Sequence, residues 1–211
     1  INAVQKALPA LQAKYPMVLL EIADTQKDLI EKSVDNMIDA LRDAIIMTIF
    51  VIFLFLADIR GMLIAAISIP FTYLLTFAVM YLIGMEFNMV TLTGIILAVG
   101  MLLDDAIVVI ENIERRYHQS QGNRDDAVLG GTDEVMLAIF SGTYATIMVL
   151  VPIIFIGGFV QTILRPLALT LSIALAVSYI VSVTVIPLCA PLILRVEAKK
   201  SRIERFTQLF D

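Results

Sequence analysis

The sequence predicts an all-α membrane protein, a polytopic bundle of about five transmembrane helices with a small α/β piece of an extramembrane domain at its N-terminus. Three observations carry that expectation. The 211 residues are 59% hydrophobic and only 17% charged, with a mean hydropathy of +0.90, whereas a soluble domain has about half apolar and about a quarter charged residues. Apolar runs of membrane-spanning length recur along the chain, separated by short polar turns. One of those runs carries two adjacent acids, Asp104 and Asp105.

Residues Ile1 to Ala13 read as a short amphipathic helix, with Val4, Ala7, Leu8 and Leu11 on one face and Tyr15-Pro16 ending it. Met17 to Ile22 reads as a strand, followed by Asp24-Thr25, either of which suits an N-cap. Residues 1–36 are therefore expected to be the trailing edge of an extramembrane domain. The next helix starts in polar sequence and runs without a breaker into the first span, keeping Ile30, Val34, Ile38 and Leu41 as a stripe. The expected spans are about 38–57, 61–85, 89–113, 135–156 and 166–194. Asp58-Ile59-Arg60 and Glu86-Phe87-Asn88 are tight links that make neighbours antiparallel. Glu114 to Glu134 reads as a polar loop, with Gly122-Asn123 and Gly130-Gly131 as turn signals, and Gly157-Gly158 opens the next one. Pro70, Pro152 and Pro187 fall inside spans, where packing geometry accounts for most kinks. Residues 195–211 place Val196, Ile203, Phe206 and Phe210 on one face and basic residues elsewhere, which fits an interfacial amphipathic helix or a linker helix docking on a partner.

Charge sets the expected orientation. Arg60, the loop with Arg115, Arg116 and Arg124, and the tail with Arg195, Lys199, Lys200, Arg202 and Arg205 share one side of a five-span chain. The other side has Arg165 and an N-terminal segment rich in acids, so the C-terminus is expected in the cytoplasm and the N-terminus outside or in the periplasm. Cys189 is the sole cysteine, so no disulfide framework is available. The chain starts on Ile, shows no signal peptide, and is expected to be a piece of something longer.

The acid pair is the candidate site. A carboxylate near mid-membrane costs about 2.5–3.5 kcal/mol even on the mildest insertion scale. Two neighbours also repel, so they are expected to share protons. Gly94 and Ala98 precede Asp105 along one face and Gly100 lies one turn from Asp104, so a neighbouring helix can approach and the acids are expected to point into a bundle. Glu111, about 9–10 Å farther along, marks the interface. No Lys, Arg or His sits mid-span in the other runs. The acids are therefore either held protonated or paired with a cation from outside this chain. Ser141, Thr143, Thr146, Ser172, Ser178, Tyr179, Ser182 and Thr184 can line a polar path, although each is more often a helix–helix hydrogen bond.

The run from Gly94 through Asp104-Asp105 to Glu111-Asn112-Ile113-Glu114-Arg115 resembles the fourth-helix motif of the resistance-nodulation-division (RND) transporters, closest to the branch that exports drugs and other amphiphiles. Leu54 to Arg60, Ile69-Pro70 and Gly157-Gly158-Phe159 follow the same order, so the resemblance covers essentially the whole chain. It implies a multi-pass bacterial inner-membrane protein working as a homotrimer, possessing large periplasmic domains, an adaptor and an outer-membrane channel as partners. It also implies that Asp104 and Asp105 are the proton relay, that a second transmembrane repeat supplies their Lys/Arg partners, and that no cofactor, metal or nucleic acid takes part. The implied function is the proton-coupling part of a proton/substrate antiporter, not an enzyme. The alternatives are a SecD/SecF-like proton-driven export accessory and, for the chain alone, an inactive scaffold. An intramembrane aspartyl protease needs acids on different helices, whereas neighbours on one helix diverge by about 100°.

Overall fold

The structure is a computed structural model. It describes residues 2–18, 27–56, 59–119 and 123–207, with side chains described outside residues 2, 5, 28, 53–56, 59, 60, 62 and 192–207. Among the described residues all regular structure is helical: α1 (Asn2–Lys14), α2 (Lys27–Leu56), α3 (Ile59–Leu82), α4 (Met89–Gln119), α5 (Arg124–Ile154) and α6 (Gln161–Thr207). The chain divides into two compact units, Ile1–Asp39 and Ala40–Asp211.

In the first unit, α1 ends in a turn closed by the Gln12 side-chain amide, which donates to the Val18 carbonyl at 2.7 Å. Val4 and Leu11 of its apolar face are exposed. Of the expected strand over Met17 to Ile22, Met17 and Val18 lie in a turn and a bend, and residues 19–22 fall outside the described residues. The N-terminal piece is helix and turn where it is described, rather than α/β.

In the second unit, four helices are long and apolar enough to cross a membrane among the described residues: Leu63–Leu82, Met89–Gln119, Arg124–Ile154 and Gln161–Pro191. The fifth expected span is the second half of α2, whose apolar sequence from Ala44 runs to the helix end at Leu56, beyond the side chains described. Its Ile52 is 2% exposed and belongs to the core.

The turn between α3 and α4 is fixed by backbone chemistry. Gly84 takes φ +72°, a conformation that costs a side chain but not a glycine. Its N–H donates to Tyr81 O at 3.1 Å and the Met85 N–H donates to Met80 O at 2.9 Å, which together close α3 with a Schellman motif. Asn88 then caps α4: its Oδ1 accepts from the N–H groups of Val90 and Thr91. Thr91 Oγ1 returns the bond by accepting from the Asn88 N–H.

The core is built around α4, whose Ile95, Ala98, Ala106 and Val109 are fully buried against residues of α3, α5 and α6. A methyl group on Gly94 would lie 3.1 Å from Thr170 Cβ, so the absence of a side chain there sets how closely α6 approaches. Ser178 Oγ, 1% exposed, donates across the same interface to Leu102 O at 2.6 Å. Ser178→Ala is expected to cost about 1 kcal/mol, the size of an interhelical hydrogen bond in a membrane protein, read as a lower unfolding midpoint in detergent.

Two expectations about connections change. The polar stretch 114–134 is not a loop: α4 continues to Gln119 and α5 already begins at Arg124. Gly130-Gly131 lies inside α5, where Gly131 serves close helix packing and not a turn. The tail is not a separate helix either, since α6 runs for 47 residues from Gln161 to Thr207 through Pro166, Pro187 and Pro191.

Candidate functional site at the Asp104-Asp105 pair

Both acids sit near the middle of α4, and the helix turns them in different directions. Asp105 is half-buried and faces α5, where the Thr143 hydroxyl donates to its Oδ2 at 3.1 Å. Asp104 is exposed and continues a stripe of exposed residues along α4, with Leu97, Gly100, Val108 and Glu111. The expectation that both point into the bundle therefore holds for Asp105 and not for Asp104. The small residues also divide: Gly94 meets α6, while Gly100 faces open space.

Asp104, Asp105, Ile139, Gly142, Thr143 and Leu175 line an open cleft of about 460 Å³. It is formed by α4 and α5 with one α6 residue at its back, and Gly142 leaves its α5 side unobstructed. Neither acid has an ion-pair partner among the described residues. The cleft is wide enough for water and for another side chain to reach both carboxylates.

Of the eight hydroxyls expected to form a polar path, four close on their own helix. Ser141, Thr146, Ser172 and Thr184 each donate to a carbonyl four residues earlier. Tyr179 packs edge-on against Phe140. Thr143 and Ser178 donate to another helix, and Thr143 alone of the two reaches an acid.

A second polar cluster, not anticipated from the sequence, joins α4 and α5 near the start of the α5 span. Asn112, 7% exposed, donates through Nδ2 to Gly131 O at 2.6 Å and to Glu134 Oε2 at 3.2 Å. Arg115 donates to Asn112 Oδ1 and, at 2.8 Å, to Glu134 Oε1. Arg116 Nε stands 3.7 Å from Glu134 Oε2. Glu134 precedes the apolar stretch that begins at Val135, and its hydrogen bonds from Arg115 and Asn112 hold its carboxyl below the usual carboxylate range. That contribution is present above the unfolded-state pKa and is lost only as pH falls through the lowered folded-state value. The sequence did hold one signal for the cluster: Asn112 follows Asp105 by seven residues, two helical turns, and so shares its face.

Four helices long and apolar enough to cross a membrane, packed around two acids on the central one, place the chain in the class of polytopic membrane proteins. The AcrB/AcrD/AcrF family matches residues 1–211, and the chain belongs to that family, within the RND multidrug efflux transporters. It is similar to the multidrug resistance protein MdtC of Salmonella arizonae, 36% identical over 190 residues, which are 89% of this chain and 18% of that protein. The MdtC of an Enterobacter species gives the same identity and coverage. That of Salmonella heidelberg is 33% identical over 207 residues, 97% of this chain and 20% of its own length. The chain thus spans a fifth or less of these relatives.

Proposed function

We propose that the chain is the proton-coupling transmembrane part of a proton/substrate antiporter that exports drugs or other amphiphiles, with Asp104 and Asp105 as its proton relay. The observation that carries this reading is the pair's placement: two carboxylates at mid-span of the central helix, opening on a cleft of about 460 Å³. Family membership and the MdtC relatives support the transported class.

The chemistry makes and breaks no covalent bond other than to the proton. A charged pair attracts a cation brought to the cleft, and protonation releases it. The bundle then has two arrangements whose populations the proton shifts. The cation is assigned to a second transmembrane repeat, as the resemblance implies, covering the stripe on which Asp104 lies. Residues 1–36 are assigned to a periplasmic pore subdomain and residues 195–211 to the cytoplasmic face of the inner membrane. The homotrimer, periplasmic adaptor and outer-membrane channel belong to the same reading.

Purified full-length protein in liposomes, with an imposed pH gradient, tests it. Substrate is expected to move against the flow of protons and to stop when a protonophore collapses the gradient. Undiminished movement without the gradient would rule the antiporter out.

A further inference from the structure

We propose that Thr143 is a positioning residue for proton exchange at Asp105, held in register by an Asn112–Arg115–Glu134 latch between α4 and α5. This rests on the antiporter reading above and adds residues to it.

The hydroxyl is committed across the helix interface. Thr143 is 8% exposed, and its Oγ1 donates to Asp105 Oδ2 at 3.1 Å, whereas Ser141 and Thr146 on the same helix bond their own backbone. A hydroxyl both donates and accepts. It can therefore donate to the ionised carboxylate and, after rotating, accept from the protonated acid, following Asp105 through both states without a bond change of its own.

The latch explains why Thr143 stays at that height. Asn112 ties α4 to Gly131 O and Glu134, and Arg115 bridges the Asn112 and Glu134 oxygens. Gly131 packs with no side chain against Ile113, where a methyl would lie 2.9 Å from Cα. Two rigid helices pinned there cannot slide, and Asp105 lies about 12 Å from Ile113 along α4 at 1.5 Å per residue.

Other titratable groups near Asp105 are few. Asp104 adjoins it on α4 and Glu111 lies farther along. The apolar part of α5 holds Tyr144, that of α6 holds Arg165, Tyr179 and Cys189, and that of α3 holds Tyr73 and Tyr81.

The test is the pH profile of proton-driven transport by the full-length protein in liposomes. A donor to a carboxylate favours the ionised form, so Thr143→Val and Thr143→Ala are expected to move the half-maximal point to higher pH by about one unit, the size of one charge-assisted hydrogen bond. Thr143→Ser is expected to keep the parent profile. Asn112→Leu, two turns along α4 from Asp105, is expected to reproduce the direction of the shift. A purely structural role would lower the rate at every pH and leave the midpoint in place. That result for both Thr143→Val and Thr143→Ala, or a Ser variant behaving like Val, overturns the proposal. Parent protein and Asp105→Asn measured alongside separate the two readings. If transport by the parent ignores pH, or Asp105→Asn stays active, the antiporter reading has failed. If both behave as expected while the Thr143 midpoints stay fixed, this inference alone has failed.

Discussion

Asp105→Asn in the intact protein is expected to abolish proton-driven export, and Asp104→Asn to do the same, each by about 100-fold or more, the scale of a lost proton-transfer group. The structure makes this substitution informative. The Asn side chain has the shape of Asp, and its Oδ1 can still accept from the Thr143 hydroxyl that bonds Asp105 Oδ2 at 3.1 Å. Asp104 is exposed on its stripe, so its replacement disturbs no packing within this chain. What each variant loses is the ability to ionise and to release a proton. Export is measured as drug accumulation in cells lacking other pumps, with the amount of protein in the membrane quantified. Export at the parent level from either variant would remove that acid from the relay.

The second large effect separates two adjacent glycines. Gly131→Ala is expected to destabilise the bundle and Gly130→Ala to leave it nearly unchanged. A methyl at 131 meets Ile113 Cα at 2.9 Å and Ile113 N at 3.2 Å, backbone atoms that cannot move aside without parting α4 from α5. A methyl at 130 meets the end of the Arg116 side chain, which can swing away. Overpacking costs about 1–3 kcal/mol. Alanine returns about 1 kcal/mol of helix propensity at both positions. The net at 131 is a loss, visible as a lower unfolding midpoint in detergent, while 130 comes out level or slightly more stable. Equal midpoints for the two variants would show that the α4–α5 contact is not as close as described.

The same pair of glycines marks where the sequence stopped being legible. Gly130-Gly131 between polar residues reads as a turn because local chemistry has no term for a neighbour 18 residues away, yet Ile113 is what makes the glycine necessary. Four of the five expected spans were legible, since apolar length is a property of a single segment. So was the acid pair, because its cost in a membrane follows from residue type alone. Gly94 was read correctly as a point of close approach, and Thr170 is the residue it admits. The different surroundings of Asp104 and Asp105 were not visible, because helical periodicity gives the angle between them but not which direction holds a neighbour. The continuation of the last helix was hidden for a related reason. The shift from apolar to basic residues near Arg195 changes the side-chain chemistry, not the backbone, and α6 continues through it.

The length of α4 has a mechanical consequence. At 1.5 Å per residue its 31 residues extend about 46 Å, with Asp105 close to the midpoint. The Asn112 latch lies about 10 Å from Asp105, whereas the Asn88 cap lies about 25 Å away on the other side. A tilt of about 5° at Asp105 moves the latched end by less than about 1 Å and the capped end by about 2 Å over those helical lengths. Measured from Asp105, the fastened point is near and the capped end is far. On the relay reading proposed above, a change of charge at Asp105 is expected to displace mainly the turn between α3 and α4, which hydrogen bonds at Gly84 and Asn88 close.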